Sequence, residues 1–196
     1  KSSQRDSDTI KKEVYEVIAQ HLADGNVIGW LQGKSEFGPR ALGARSILAN
    51  PLLPEMQATV NAKVKFRELF RPFAPAVIEK EAAEYFDIDP IDDSTDPQCF
   101  MLTVCNVNEG YKTKLPAITH TDGTARVQVV KPDNESAFYN LLEAFGKKTG
   151  MSVLLNTSFN LRGEPIVESP QDALKTFDWC DIDVLCCENF IIKKNQ

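Results

Sequence analysis

Three segments of the sequence combine basic or short polar side chains with chain-breaking residues, a pattern that is typical of sites for small anions. The first, residues 33–46, reads GKSEFGPRALGARS and carries Lys34 and Arg40 among three glycines. Glycine lets the backbone approach an anion closely, and the two cationic side chains supply charge of the right sign. The segment lacks the GxxxxGK[ST] order of a Walker A loop. A surface loop shaped by turn-forming residues would have the same composition.

The second segment, residues 61–75, reads NAKVKFRELFRPFAP and carries four cations. Lys63, Lys65, Arg67 and Arg71 cannot all lie on one face of a helix, so some must come from an irregular stretch that ends at the prolines. Such a stretch can hold a triphosphate from more than one side, with two-pronged contacts from arginine and a point charge from lysine. The alternative is a solvated basic helix end.

The third segment, residues 154–167, reads LLNTSFNLRGEPIV and places a cluster of short polar side chains directly after a buried strand. Hydroxyl and carboxamide groups at the end of a strand can bind phosphate oxygens, a ribose or a carbamoyl amide through hydrogen bonds. The same residue types form turns, so a turn alone would also explain the pattern. The candidates are Asn156, Thr157, Ser158 and Asn160.

Strands and helices that alternate without a strict βαβ order must position these segments. We therefore predict an α/β (α+β) fold, a twisted mixed β-sheet with helices packed on it. No repeat or internal boundary is visible, so residues 1–196 read as one domain. The predicted strands are 27–31, 45–49, 76–78, 100–107, 125–130, 151–155, 183–187 and 190–192. The predicted helices lie between residues 7 and 25, 54 and 64, 79 and 86, 132 and 149, and 170 and 177.

The composition, with 42% hydrophobic and 26% charged residues, is ordinary for a soluble globular protein. No apolar run is long enough to span a membrane, and the charged N-terminal residues precede no signal-peptide core. The five cysteines are an odd number and none lies in a CxxC pair. These features predict a reduced, cytoplasmic location.

Charge is distributed unevenly along the chain. The net charge is −6, which argues against nucleic acid as a partner, whereas residues 34–71 contain seven basic and three acidic residues. A basic stretch within an acidic protein favours a local site for a small polyanion. The other interpretation is a solvated helix face that acidic residues elsewhere balance.

Four motifs, GKSEFGPRALGARSIL, KFRELFRPFAPAV, THTDGTARVQ and LLNTSFNLRGEPIV, follow one another in this order. With them the chain, from about residue 26 to 193, resembles the C-terminal domain of the carbamoyltransferase family that includes nodulation-factor and antibiotic O-carbamoyltransferases. That domain is similar to the YrdC-like fold, which also occurs in hydrogenase-maturation carbamoyltransferases. The resemblance implies that the domain binds ATP with Mg²⁺ and converts carbamoyl phosphate to a carbamoyl-adenylate.

The resemblance also implies roles for individual residues. Lys65 and Arg67 match the basic pair of the family's cleft, and Ser158 and Asn160 match its SxN signature. Catalytic roles are expected of Lys34, Arg40, Lys65, Arg67 and Ser158. Nucleotide contacts are expected of Arg71, Thr124, Arg126, Asn156, Thr157 and Asn160. No residue is expected to bind a metal directly.

Full-length relatives carry an N-terminal ASKHA-type domain, which holds a metal through histidines and transfers the carbamoyl group to a hydroxyl acceptor. This chain has only two histidines, His21 and His120. The resemblance therefore implies that the transfer domain is absent from this chain and acts as its partner. Two alternatives remain: a nucleotide- or RNA-binding YrdC-like domain without carbamoyl transfer, with aromatic residues that stack on bases, and a domain without activity. The candidate stacking residues are Phe37, Phe66, Phe70 and Phe73.

Overall fold

A seven-stranded mixed sheet forms the centre of the computed structural model, which describes residues 7–66, 71–91, 93, 95–132 and 136–194. The strands of this sheet are β1 (Ile28–Leu31), β2 (Arg45–Ala49), β3 (Ala74–Ile78), β6 (Gln128–Val130), β7 (Val153–Ser158), β8 (Val184–Cys187) and β9 (Phe190–Lys193). Their spatial order is β6-β3-β7-β2-β1-β8-β9. A separate pair consists of β4 (Cys105–Asn106) and β5 (Thr124–Ala125).

Helices cover both faces of the large sheet. They are α1 (Ser7–Ala23), α2 (Met56–Val60), α3 (Glu79–Tyr85), α4 (Glu109–Lys112), α5 (Ala137–Thr149) and α6 (Pro170–Trp179), with a π-helical turn at Asn61–Lys65 and a 3₁₀ turn at Pro97–Phe100. Ile28 and Trp30 of β1 pack with α1 and α5, whereas Leu31 packs in a second core with α2, α3 and α6. Because successive residues of a strand point to opposite faces, every residue of β1, β2, β3 and β8 is buried. The predicted α/β fold with a mixed sheet is confirmed.

Pairing in the sheet brings the three predicted segments to one end. β2 and β3 run antiparallel to β7, and β6 runs parallel to β3. The starts of β2, β3 and β6 therefore lie at the same end of the sheet as the end of β7. The loop at residues 33–43, which follows β1, lies there too, since β1 is antiparallel to β2. We call this the cleft end of the sheet.

Two predicted strands differ from the structure. The 100–107 prediction was wrong for most of its length: only Cys105–Asn106 is a strand, because Asp96 caps a 3₁₀ turn and Met101 adopts a left-handed conformation. Leu102 and Val104, within the predicted strand, are 66% and 62% exposed. The predicted 125–130 strand divides at residues 126–127, where the chain leaves the small sheet and enters the large one.

Other boundaries moved by a few residues. The predicted 151–155 strand begins at Val153 and continues to Ser158, so the polar residues after Leu155 belong to the strand. The predicted 54–64 helix is α2 followed by the π-helical turn. Gly150, in a left-handed conformation with φ of 84°, ends α5 as predicted. In the described part of the chain no helix is both long and apolar enough to cross a membrane.

Candidate functional site

Two adjoining cavities open at the cleft end of the sheet. The larger, of about 480 Å³, is lined by arginine side chains together with His120, Phe73 and Val104. The smaller, of about 120 Å³, extends from it to the end of β7. Arg40, Phe73 and Arg126 line both, so we treat the two as one cleft. The lining residues that the structure describes include no Asp or Glu. Arginine donors without a carboxylate beside them suit an anion.

Arg40 reaches the cleft from a loop that a single carboxylate holds in shape. Oε1 of Glu36 accepts hydrogen bonds from the backbone N–H groups of Leu42, Ala44 and Arg45 at 2.6, 2.7 and 3.2 Å. Gly43, with φ of 112°, lies against Phe138, where a Cβ atom would come within 2.1 Å of the ring. The loop conformation is thus determined by its own residues and by α5. Glu36 was not among the candidate site residues, although it lies within the first motif.

Arg126 and Arg71 enter the cleft just before strands begin. Arg126 occupies the point where the chain passes from β5 to β6, and Arg71 precedes β3. Both line the larger cavity together with Arg40. Three arginines separated by up to 86 residues of chain are therefore brought to one cavity, because their strands begin at the same end of the sheet.

Lys65 lies beneath the polar end of β7 rather than in the cavity lining. Its side chain is buried, and Nζ donates to the backbone oxygen of Ser158 at 2.6 Å and to that of Asn160 at 3.1 Å. Nζ also contacts Asn160 Oδ1 at 2.8 Å and Ser158 Oγ at 3.3 Å. The hydroxyl of Ser158 donates in turn to Asn160 Oδ1 at 2.7 Å. Lys65 therefore fixes the turn that follows β7.

His120 is held by Thr124. The Thr124 hydroxyl donates to Asp122 Oδ1 at 2.7 Å, so Thr124 Oγ1 is left to accept from His120 Nδ1, which lies 3.1 Å away. Burial lowers the pKa of His120 below its usual value; Asp122 opposes this effect and Arg126 acts in the same direction. Burial therefore favours the neutral form of the imidazole. Thr124 positions His120 and does not line either cavity.

The cleft brings together some predicted site residues and not others. Its lining includes Arg40, Arg71, Arg126, Asn156, Thr157 and Ser158. Asn160 is engaged within the turn, where its Nδ2 donates to the Glu164 carbonyl at 2.7 Å. Lys34 lines a different cavity, next to α1 and the start of α5, beside Glu188 and Phe138. Arg67 lies outside the described residues.

The candidate stacking residues do not form one surface. Phe37 and Phe66 are exposed, whereas Phe73 is buried and contributes to the core. Phe70 lies outside the described residues. The cleft wall therefore offers apolar contact through Phe73 and Val104.

Solved structures define the class of protein to which this fold belongs. Full-length HypF matches with a TM-score of 0.60 at 18% identity, over 89% of this chain and 25% of that one. YciO of E. coli matches with a TM-score of 0.58 at 12% identity, over 94% of this chain and 89% of that one. At such low identity these matches show the fold, which is that of the YrdC-like domains.

The sequence itself defines the family. The carbamoyltransferase C-terminus model matches residues 19–194. The nodulation protein NolNO of Sinorhizobium fredii is 49% identical over 90% of this chain and 25% of its own length. The chain belongs to the carbamoyltransferase C-terminal domain family. It spans between a quarter and a third of the length of three relatives that are 42%, 49% and 48% identical to it, at 32%, 25% and 32%.

Proposed function

We propose that this domain binds ATP and activates a carbamoyl group as carbamoyl-adenylate, within an O-carbamoyltransferase that passes the group to a hydroxyl acceptor. One observation carries the proposal: Arg40, Arg71 and Arg126 converge on a cavity next to the polar end of β7. None of the described residues that line this cavity has a carboxylate. Arginine is a hydrogen-bond donor only and binds phosphate with two parallel bonds. A volume of about 480 Å³ is within the usual range for a small-molecule site.

The comparisons support a nucleotide as the ligand. The HypF structure that shares this fold was solved in a phosphate- and nucleotide-bound form. The family model is that of the carbamoyltransferase C-terminus, which favours a carbamoyl group as the second ligand. Together the two comparisons support a nucleotide and a carbamoyl donor in the same domain.

The chemistry needs no protein nucleophile. Water first cleaves carbamoyl phosphate to carbamate and phosphate, and a carbamate oxygen then attacks the α-phosphorus of ATP, so that pyrophosphate leaves. Negative charge spreads over the phosphoryl oxygens during this attack, and the main contributions of the protein are positioning and cationic stabilisation. Arg40 and Arg126, which face both cavities, are placed to contact the reacting phosphate, and the larger cavity receives the rest of the nucleotide.

A magnesium ion would bind together with the nucleotide, through the phosphate oxygens. The described cleft lining contains no carboxylate, so nucleotide oxygens and water would supply the ligands of the ion. Transfer to the hydroxyl acceptor belongs, in this proposal, to an ASKHA-type domain elsewhere in the full-length protein.

Pyrophosphate exchange tests the proposal. The chain should exchange labelled pyrophosphate into ATP only when carbamoyl phosphate is present, because exchange requires reversible formation of the adenylate. It should carbamoylate no hydroxyl acceptor, since the transfer site is assigned to another domain. Exchange is measured as label in ATP with carbamoyl phosphate present and omitted.

Two results would contradict the proposal. Exchange that is independent of carbamoyl phosphate would show that the acyl group is a different one. ATP binding without any exchange, accompanied by RNA binding in a filter assay, would favour the alternative of a nucleotide- or RNA-binding domain.

A further inference from the structure

A residue that lines the smaller cavity has a buried side-chain oxygen without a donor. Asn156, at the inner wall of this cavity, is 1% exposed, and its Oδ1 receives no hydrogen bond from any residue that the structure describes. A buried acceptor left in this way costs about 1–3 kcal/mol. Such an atom in a native protein calls for an explanation, and a ligand that supplies a donor is one.

The orientation of the Asn156 amide is fixed by its neighbours. Nδ2 donates to the backbone oxygen of Ala41 at 3.1 Å and to Oε1 of Gln128 at 2.8 Å. Gln128 is fixed in turn, because its Nε2 donates to the Leu42 carbonyl at 2.8 Å. Rotating the Asn156 amide by 180° would place its oxygen against two other acceptors. The lone pairs of Oδ1 are therefore left for a donor on a ligand.

The charged groups around this cavity have the opposite character. Arg40 and Arg126 can only donate, and a positive field excludes a metal ion from the Asn156 oxygen. The ligand must therefore be small, accept hydrogen bonds at one edge and donate one at another. A volume of about 120 Å³ holds a group of roughly four heavy atoms, taking about 30 Å³ for each water-sized unit. The adenine and ribose need the larger cavity.

We infer that Asn156 Oδ1 accepts a hydrogen bond from the amino group of the carbamoyl substrate and thereby selects a carbamoyl group over an acyl group that lacks an N–H. This inference rests on the proposed function and adds to it the residue that determines acyl specificity. The planar carbamoyl group has four heavy atoms when bound as carbamate, with two oxygens for the arginines and one amino group for Asn156. Gln128 acts as the positioning residue for the Asn156 amide.

Acetyl phosphate provides the test, since a methyl group replaces the amino group at nearly the same size. Pyrophosphate exchange is measured with each acyl phosphate in the wild type and in Asn156→Leu, and the ratio of the two kcat/KM values is compared. The ratio of carbamoyl to acetyl should fall at least about tenfold in the variant, the scale expected when a site built for an N–H loses its partner. Because both substrates report on the same molecules, partial unfolding does not change this ratio.

Two further variants complete the experiment. Asn140→Leu, an asparagine of α5 outside the cleft lining, should keep the wild-type ratio. Gln128→Leu removes the acceptor that fixes the Asn156 amide and should lower the carbamoyl-to-acetyl ratio by a smaller factor. If Asn156→Leu does not fold, the Gln128 variant tests the inference in its place. An unchanged ratio in the Asn156 or Gln128 variant, with wild-type exchange intact, overturns the inference and leaves the proposed function in place. Absence of exchange with either acyl phosphate in the wild type overturns both.

Discussion

Replacing Arg40 by Ala should lower kcat/KM for pyrophosphate exchange by about 100-fold or more and weaken ATP binding. Arg40 lines both cavities, so its guanidinium lies where the proposed function puts the junction between nucleotide and carbamoyl group. Loss of one preorganised donor at a reacting oxyanion typically costs about 2.7–4 kcal/mol. Arg40→Lys should recover part of the loss, because lysine keeps the charge and not the two-pronged geometry. Exchange kinetics and calorimetric titration with ATP measure the two effects.

Lys147→Ala is the matched control for this experiment. Lys147 is an exposed cation in the last turn of α5 and lines neither cavity of the cleft. Its removal changes the net charge by the same amount as Arg40→Ala, so any general electrostatic effect appears in both variants. Equal ATP affinities in the two variants would show that Arg40 does not contact the nucleotide.

Replacing Lys65 by Met should reduce both stability and exchange activity per folded molecule. The change removes the contacts of Nζ with four oxygen atoms of Ser158 and Asn160 and leaves these oxygens without this donor. Unsatisfied buried acceptors cost about 1–3 kcal/mol each, so the free energy of unfolding should fall by roughly 2–5 kcal/mol. The turn after β7 then loses its fixed shape, and exchange should fall about 100-fold, since positioning of the cleft wall is lost. Chemical denaturation and exchange at a known folded fraction separate the two effects.

Lys63→Met provides a control in the same π-helical turn. Lys63 pairs with Asp183 at 2.5 Å, and the two side chains are 28% and 27% exposed. A partly exposed pair contributes about 0–1 kcal/mol. The variant should therefore lose little stability and no exchange activity per folded molecule. If Lys65→Met lost stability alone, with activity per folded molecule intact, Lys65 would be a structural residue without influence on the site.

The sequence alone predicted the features that depend on neighbouring residues. Strand β2 appeared within its predicted bounds, and α5 ends at Gly150, since the glycine adopts the left-handed conformation required there. The breaker-rich loop at residues 33–43 forms no regular element. Hydrophobic periodicity and turn chemistry act over a few residues, so a single sequence contains the information.

The fold and the family were also accessible from the sequence, through motifs in a fixed order, and the comparisons confirm both. The sequence did not show which basic residues share a site. Arg40 and Lys34 belong to one motif and are six residues apart, yet they line different cavities, because the loop brings Lys34 beside α1 and α5 and Arg40 beside the end of β7. Spacing along an irregular loop carries no information about which cavity a side chain reaches.

Contacts between distant segments were decided by the tertiary structure alone. Lys65 binds oxygens 93 and 95 residues further along the chain, and Gln128 orients Asn156 across 28 residues. Arg126 reaches the cleft only because the chain changes sheets beside it. These pairings depend on strand order and register, which follow from the packing of the whole sheet rather than from local propensity. The sequence therefore determined which residues were available for the site, and the strand order determined which of them meet.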